Sequence, residues 1–470
     1  MSVSQHIFRG YDIRGLVEKE LSDEVVATIA KAYATWLIKR RIPDCVVGFD
    51  CRLSSPHFRD IVVETLLSAG ITVYDIGMTL TQVAYFAQYY FRTRGMIMIT
   101  ASHNPKEYNG FKFGTGYSET MLTEDIQLFK HMVNEGEFVA LPVAGKHIRS
   151  TIFPAYIADL KRYIGPIKSF KVVIDACAAT AGAFLPQILR EFGCTVIEQN
   201  TVPDGNFPVG TPDPTESIVQ RRLADRVKLE QADVGFSYDA DGDRMGAVDE
   251  QGKLLWNDTL VSLFAGDILD NLPGAKIVFN TLCSKQVTEV IKRSGGVPVM
   301  WKTGHSFIKA KVREEGAAFG GELSGHFYFV DNFYGHDDGA IASLRLLAYL
   351  TRKKKTLGQV LATFPSYISS PEIKLGCPDN EKFHLIDNEI QAELRRLYPE
   401  AEYVTIDGVR LDTKDEMVIM RASQNGPYLT IKFEAKTLQK YNLLKEQISA
   451  ILHQFANIDW SEGVNVEALK

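Results

Sequence analysis

The sequence predicts an α/β protein: three related α/β domains with mixed, parallel-rich sheets, followed by a C-terminal α+β domain. Two observations predict it: a strand–helix–strand unit that recurs three times, and a change of pattern near the C-terminus. Residues 46–77 read VVGFD, a Ser-rich loop, a helix through Leu67, a stop at Gly70 and then ITVYDIG. Residues 172–200 read VVIDA, the loop CAATAG, a helix carrying Phe184, Leu185, Ile188, Leu189 and Phe192, then Gly193 and CTVIEQN. Residues 277–303 read IVFNT, LCSK, a helix with Val287, Val290 and Ile291, then Gly295-Gly296 and VPVMWKT. Each helix has 3.6-residue periodicity and a glycine stop. The strands are continuous apolar runs, as in parallel sheets covered on both faces. Toward the C-terminus, Met417–Ser423 and Tyr428–Ala435 read as a hairpin around QNGP, and Leu438 to Phe455 as an amphipathic helix. The expected boundaries give domains over 1–150, 151–255, 256–368 and 369–470.

Composition narrows the function classes. The chain has 470 residues, 45% hydrophobic and 23% charged, normal for a globular protein with sizeable cores. A net charge of -6 supplies no basic field for nucleic acid. The N-terminal stretch MSVSQHIFRGYDIRG lacks an apolar signal core, and no apolar run reaches bilayer-spanning length. Six scattered cysteines without a CxxC pair fit reduced structural thiols in a cytoplasm. The run Arg352-Lys353-Lys354-Lys355 follows IASLRLLAYL, an amphipathic helix, and reads as a complement to that helix's C-terminal dipole.

In open α/β sheets, ligands sit beyond the carboxyl ends of strands. Five loops at such places carry chemistry. TASHNP (100–105) follows the strand GMIMIT and precedes YNGFK (108–112). Ser102 alone reads as a turn hydroxyl, a hydrolytic nucleophile or a carrier of a transferred group; there is no GxSxG elbow. Adjacent Ser102 and His103 are expected to point apart. DADGDR (239–244) puts Asp239, Asp241 and Asp243 within five residues. Like charges this close call for a cation. An EF-hand would need Gly where Arg244 stands. Few carboxylates with coordination positions to spare suit Mg²⁺. An aspartyl-phosphate reading, with Asp239 as nucleophile, competes, although Asp243 stands where that pattern wants Thr. KTGHSFIK (302–309) carries His305, and GGELSGHFYF (320–329) puts Glu322, Ser324 and His326 on one short loop, a set suited to a polyol. RASQNGP (421–427) offers Arg421, Ser423, Gln424 and Asn425 to a phosphate, or is an ordinary hairpin turn.

Taken together and in order, YDIRG, TASHNP, YNGFK, DADGDR, KTGHS, GELSGH and RAS…P resemble the α-D-phosphohexomutase family, in its bacterial phosphomannomutase/phosphoglucomutase branch. The resemblance covers nearly the whole chain. It implies four domains around a central cleft and a cytoplasmic, Mg²⁺-dependent exchange of hexose 1- and 6-phosphates. It also implies a phosphoserine and a hexose 1,6-bisphosphate that serves as intermediate and activator. By this resemblance Ser102 matches the phosphoserine, and Asp239, Asp241 and Asp243 the metal ligands, with a phosphoserine oxygen completing the shell. Glu322 and Ser324 match sugar-hydroxyl contacts, with His326 in the same loop. Arg421 and Ser423 match contacts to the non-reacting phosphate, and Gln424 and Asn425 retain donors there. Arg14, Lys112, Arg244 and His305 match residues that move a proton or stabilise charge.

His305 and Lys112 rank above His326 as general base; Lys112 would need a lowered pKa, with Arg14 as the like-charged neighbour. A mobile C-terminal domain carrying Arg421 is expected to exclude water. Sugar phosphates are the expected partners, with no nucleic acid or membrane, and the protein is expected to be a monomer or homodimer. An amino-sugar mutase and a non-catalytic sugar-phosphate sensor remain alternatives. Three departures stand out: RASQNGP for RASNTTP, LTQV (80–83) for a TPV-like run, and Ala240 for a common glycine.

Overall fold

In the computed structural model, residues 3–424 and 426–470 are described. They form two compact units, residues 1–257 with 324–362, and residues 258–323 with 363–470. The stretch expected as the third domain contributes to both.

The first unit holds two sheets. In the larger, the strands run Ile13–Leu16, Tyr108–Gly116, Gly95–Ile99, Asp44–Phe49, Thr72–Met78 and His147–Arg149 across the sheet. Its central pairs are parallel, while Tyr108–Gly116 runs antiparallel to Gly95–Ile99 and Ile13–Leu16. Gly95–Ile99 is buried along its length, as its unbroken apolar run requires. Helices Asp23–Lys39 and Ser55–Ser68 cover one core with Ile29, Tyr33, Trp36, Val62 and Leu66. The smaller sheet runs Met245–Val248, Val234–Tyr238, Lys171–Asp175 and Thr195–Gln199. Helix Gly339–Lys353 starts at Asp338, whose side chain accepts from the amides of Ala340 and Ile341. It is not the amphipathic helix its sequence suggests: every residue from Gly339 to Leu350 is buried. Arg352 and Lys353 do fall in its last turn, at the negative end of the dipole.

The second unit contains the parallel strands Val297–Trp301, Lys276–Asn280 and Phe319–Gly321. It also contains the C-terminal sheet, ordered Glu402–Val404, Val409–Asp412, Glu416–Ala422, Tyr428–Ala435, Ile373–Gly376 and Asp459–Val464. Helix Leu438–Leu452 lies on that sheet through Leu444, Ile448 and Leu452. Polar bonds join the two parts of this unit. Lys432 Nζ meets Asp258 at 2.9 Å, and Arg410 Nη1 donates to the carbonyls of Thr281 and Cys283 at 2.6 and 2.5 Å. Charges buried this deeply persist only when paired. Among the described residues no helix is long and apolar enough to cross a membrane.

Candidate functional site

The serine loop begins where strand Gly95–Ile99 ends. Ser102 sits at φ +49, a left-handed conformation that disfavours a side chain. Such strain persists only where surroundings over-determine it, and Arg52 does this. Its guanidinium, 1% exposed, donates to the carbonyls of Ser102 and Asn104 (both 2.6 Å), Pro105 (2.8 Å) and Tyr108 (2.9 Å), and pairs with Asp50 at 3.1 Å. The Ser102 amide donates to Thr100 Oγ1 at 2.8 Å. The backbone thereby aims the hydroxyl. Ser102 Oγ donates to Asp239 Oδ2 at 2.8 Å, across 137 residues of sequence. His103 Nδ1 also lies 3.3 Å from Ser102 Oγ, so the two side chains do not point apart as expected. The left-handed turn at Ser102 departs from the extended backbone that throws neighbouring side chains to opposite sides.

The acidic turn follows strand Val234–Tyr238. Asp239, Asp241 and Asp243 are fully buried, with ligand oxygens all within 4.8 Å of one another. Gly242, at φ +75, makes the reversal between the last two. The LTQV run, singled out as a departure, grips this turn. Thr81 Oγ1 donates to Asp241 Oδ2 at 2.5 Å, the Thr81 amide to the Asp241 carbonyl at 3.0 Å, and Gln82 Nε2 to the Gly242 carbonyl at 2.9 Å. Ala240 packs with Ala179 and Phe207.

Lys112 Nζ bonds Asp241 at 2.7 Å and Asp243 at 2.5 Å. Burial alone would lower its pKa, but the carboxylates of Asp241 and Asp243 raise it. The lowering expected from Arg14 is therefore absent. Arg14 is turned to Asp12 (2.7 Å) and Asn104 (2.7 Å) instead. Burial, then Asp241 and Asp243, push the Asp239 carboxyl well up. Asp241 goes down because Lys112 and Thr81 outweigh its burial. Asp241 Oδ1 and Asp243 Oδ1 have no hydrogen-bond partner among the described residues. Buried, orphaned carboxylate oxygens beside a third carboxylate are donors that a hard divalent cation satisfies.

Arg244 completes this side. Its Nε donates to His326 Nε2 at 2.9 Å, and its amide to Asp239 Oδ1 at 3.2 Å. Burial opposes its charge, but Asp213 and Asp239 raise its pKa further. On the other side of the ring, His326 Nδ1 lies 3.0 Å from Asp337 Oδ2. Ser324 is half-buried in this same unit.

The second unit holds the rest. His305, 3% exposed, opens helix His305–Glu315. Glu322 Oε2 accepts from the Gly304 amide at 3.0 Å. Arg421 Nε donates to Asp407 Oδ2 at 2.9 Å, the Ser423 amide donates to the Tyr428 carbonyl at 3.0 Å, and Gln424 is exposed. Asn425 lies outside the described residues.

Thus Ser102, the three aspartates, Lys112, Arg14, Arg244 and His326 fall in one unit, and His305, Glu322, Arg421, Ser423 and Gln424 in the other. Sequence reasoning missed Arg52, Thr81, Gln82 and Asp337. Arg52 stands two residues after the strand-end Asp50, and Asp337 follows His336 in GHDD, weak signals without the fold.

Known proteins resemble this chain in sequence and fold. The phosphoglucomutase/phosphomannomutase alpha/beta/alpha domain I, II and III models match residues 5–139, 154–252 and 256–367. A phosphomannomutase/phosphoglucomutase of Pseudomonas aeruginosa is 37% identical over 439 residues, 93% of this chain and 94% of its own. A phosphoglucomutase of Neisseria gonorrhoeae is 34% identical over 98% of this chain and 99% of its own. The crystal structure of a phosphoglucomutase/phosphomannomutase family protein from Burkholderia thailandensis superposes with a TM-score of 0.88 at 32% identity, covering 96% of this chain and 98% of that one. With three family models in register along one chain, and relatives matched nearly end to end, this protein belongs to the α-D-phosphohexomutase family, in its bacterial phosphoglucomutase/phosphomannomutase branch.

Proposed function

We propose that the protein interconverts hexose 1-phosphates and hexose 6-phosphates of glucose and mannose, with Ser102 carrying the phosphoryl group. The observation that carries this reading is the 2.8 Å bond from Ser102 Oγ to Asp239 Oδ2. It puts a strained, buried hydroxyl against an acidic trio.

In the forward step a sugar hydroxyl attacks the phosphoryl group on Ser102. A bond forms from the sugar oxygen to phosphorus, the bond from phosphorus to Ser102 Oγ breaks, and the sugar proton passes to a base. The product is a hexose 1,6-bisphosphate, which also serves as activator. It turns end for end, and its other phosphoryl group passes to Ser102 Oγ: the bond from phosphorus to that sugar oxygen breaks, and the base gives its proton to the freed oxygen. Asp239, Asp241 and Asp243 would hold Mg²⁺, which neutralises charge on a transferring phosphoryl group. Lys112 and Arg244 place fixed positive charge beside the same carboxylates. Because Lys112 is doubly bonded to carboxylates, it acts as a cation, and His305 remains the candidate base. Both Asp239 oxygens already accept hydrogen bonds, from Ser102 and from the Arg244 amide, which disfavours Asp239 as the phosphorylated group.

Glu322 and Ser324 would read the sugar's 3- and 4-hydroxyls, which keep their places when the ring flips, with His326 alongside. Glucose and mannose differ at C2, so both are accepted. Arg421, Ser423, Gln424 and Asn425 would hold the non-reacting phosphate.

Replacing Ser102 with Ala tests the reading. Steady-state turnover of glucose 1-phosphate, with Mg²⁺ and catalytic glucose 1,6-bisphosphate in a coupled assay, should vanish. Calorimetric binding of the sugar phosphate should persist. Near-normal turnover would overturn the carrier role.

A further inference from the structure

We propose that Asp407 is a positioning residue that joins the phosphate-gripping Arg421 to the turn that orients Glu322. The proposal deepens the mutase reading and rests on it.

Asp407 lies in the loop between strands Glu402–Val404 and Val409–Asp412. There its Asp-Gly sequence looks like a plain hairpin turn. Its carboxylate does more. One oxygen, Oδ2, receives three donors from three separate segments: Arg421 Nε at 2.9 Å, the Thr303 amide at 2.9 Å and Thr281 Oγ1 at 3.1 Å. Side chains of both Asp407 and Arg421 are only 7% exposed. These donors satisfy a carboxylate this buried, and it fixes them in return.

The next amide after Thr303 extends the chain of contacts. Gly304, at φ +135, has a backbone that other residues rarely adopt, and its N–H donates to Glu322 Oε2 at 3.0 Å. Two successive amides, just ahead of helix His305–Glu315, thus hold two carboxylates. The positive end of that helix favours both. One carboxylate belongs to the sugar-reading loop, and the other clamps the phosphate-reading arginine.

Clamping Nε fixes the plane of the Arg421 guanidinium. The Nη1 and Nη2 donors have no hydrogen-bond partner among the described residues, which leaves that edge of the fork for an anion. Arginine binds phosphate well when its plane is set beforehand. Asp407 therefore acts through Arg421, and it ties the phosphate grip to the Thr303–Gly304 turn that orients Glu322.

The test is a double-mutant cycle. Asp407→Asn keeps size and an acceptor oxygen for all three donors but removes the negative charge that clamps Arg421, leaving a weaker neutral contact. Calorimetry with α-D-glucose 1-phosphate should show ~10-fold weaker binding for Asp407→Asn, the size of one lost charge-assisted contact. In an Arg421→Ala background the same change should cost less than about twofold, because nothing remains to be clamped. In turnover, KM should rise with kcat within about threefold, the pattern of lost uniform binding. Unchanged affinity, tighter binding or an equal loss in both backgrounds would each overturn the proposal. If Asp407→Asn fails to fold, Arg421→Lys reports instead: it keeps the charge, lacks the planar fork and should lose about as much affinity. Wild-type affinity in that variant would equally overturn the proposal. Wild-type binding without turnover would sink the mutase reading, while the binding cycle would still judge Asp407.

Discussion

Replacing Arg52 by Lys should loosen the serine loop while leaving the aspartate turn intact. Arg52 serves five acceptors: the carbonyls of Ser102, Asn104, Pro105 and Tyr108, and Asp50 Oδ2. A lysine ammonium has three donors, so at least two of these five lose their partner. All five lie around a side chain that is 1% exposed, where water cannot readily replace it. At ~1.5–3 kcal/mol for each charge-assisted bond, the loop loses roughly 3–6 kcal/mol. The left-handed turn at Ser102 then relaxes, and the hydroxyl drifts from Asp239. Hydrogen-exchange mass spectrometry on peptides spanning residues 100–108 reads this directly. Exchange there should accelerate by about 10²–10⁴-fold, at roughly 1.4 kcal/mol per decade, with little change around residues 239–244. Turnover of glucose 1-phosphate should fall with it. Exchange within about threefold of wild type, together with unchanged turnover, would refute the reasoning that Arg52 sets the serine loop.

Other outcomes follow from the same geometry. Thr81→Val removes the 2.5 Å bond to Asp241 and keeps the shape, so the Mg²⁺ activation constant should rise by about 10–100-fold, as when a ligand's supporting contact is lost. Gln231 ends helix Ser217–Glu230 at φ 50 and is exposed, so Gln231→Gly should stabilise the protein by roughly 0.5–1 kcal/mol, seen as a higher thermal midpoint. Burial pushes the Cys51 thiol from 9.0 up to about 11. The fold keeps it protonated while the unfolded chain ionises near 9.0, so its contribution is complete below that pH and is lost as pH climbs toward about 11. Urea midpoints should fall across that window, and Cys51→Ala should lessen the fall by up to about 1.4 kcal/mol per pH unit.

Much of the candidate site was legible in the sequence because its chemistry is local. Three aspartates within five residues after a strand call for a cation, and TASHNP sets a hydroxyl at a strand end, where ligands of open α/β sheets sit. The strand–helix–strand repeats are equally local, written in 3.6-residue periodicity and glycine stops. What could not be read were residues whose role depends on what they meet. LTQV gave no hint that Thr81 and Gln82 would hold the aspartate turn from 160 positions away. Lys112 was placed beside Arg14 by analogy, yet strand pairing carries it to Asp241 and Asp243 and raises its pKa where a base needs it lowered. The helix Gly339–Lys353 looked amphipathic because its polar residues are spaced as for solvent, but Ser343 bonds Tyr238 in the interior.

The sequence by itself determined which residue types would gather at strand ends, since periodicity and turn chemistry act over a few residues. Only the tertiary structure decided the partners: Ser102 with Asp239, Arg52 with four loop carbonyls, Asp407 with Arg421. The reason is physical. Hydrogen bonds and charge pairs fall off within a few ångströms, so their energies depend on separations in space, and only the packed sheets bring residues 137 positions apart to 2.8 Å.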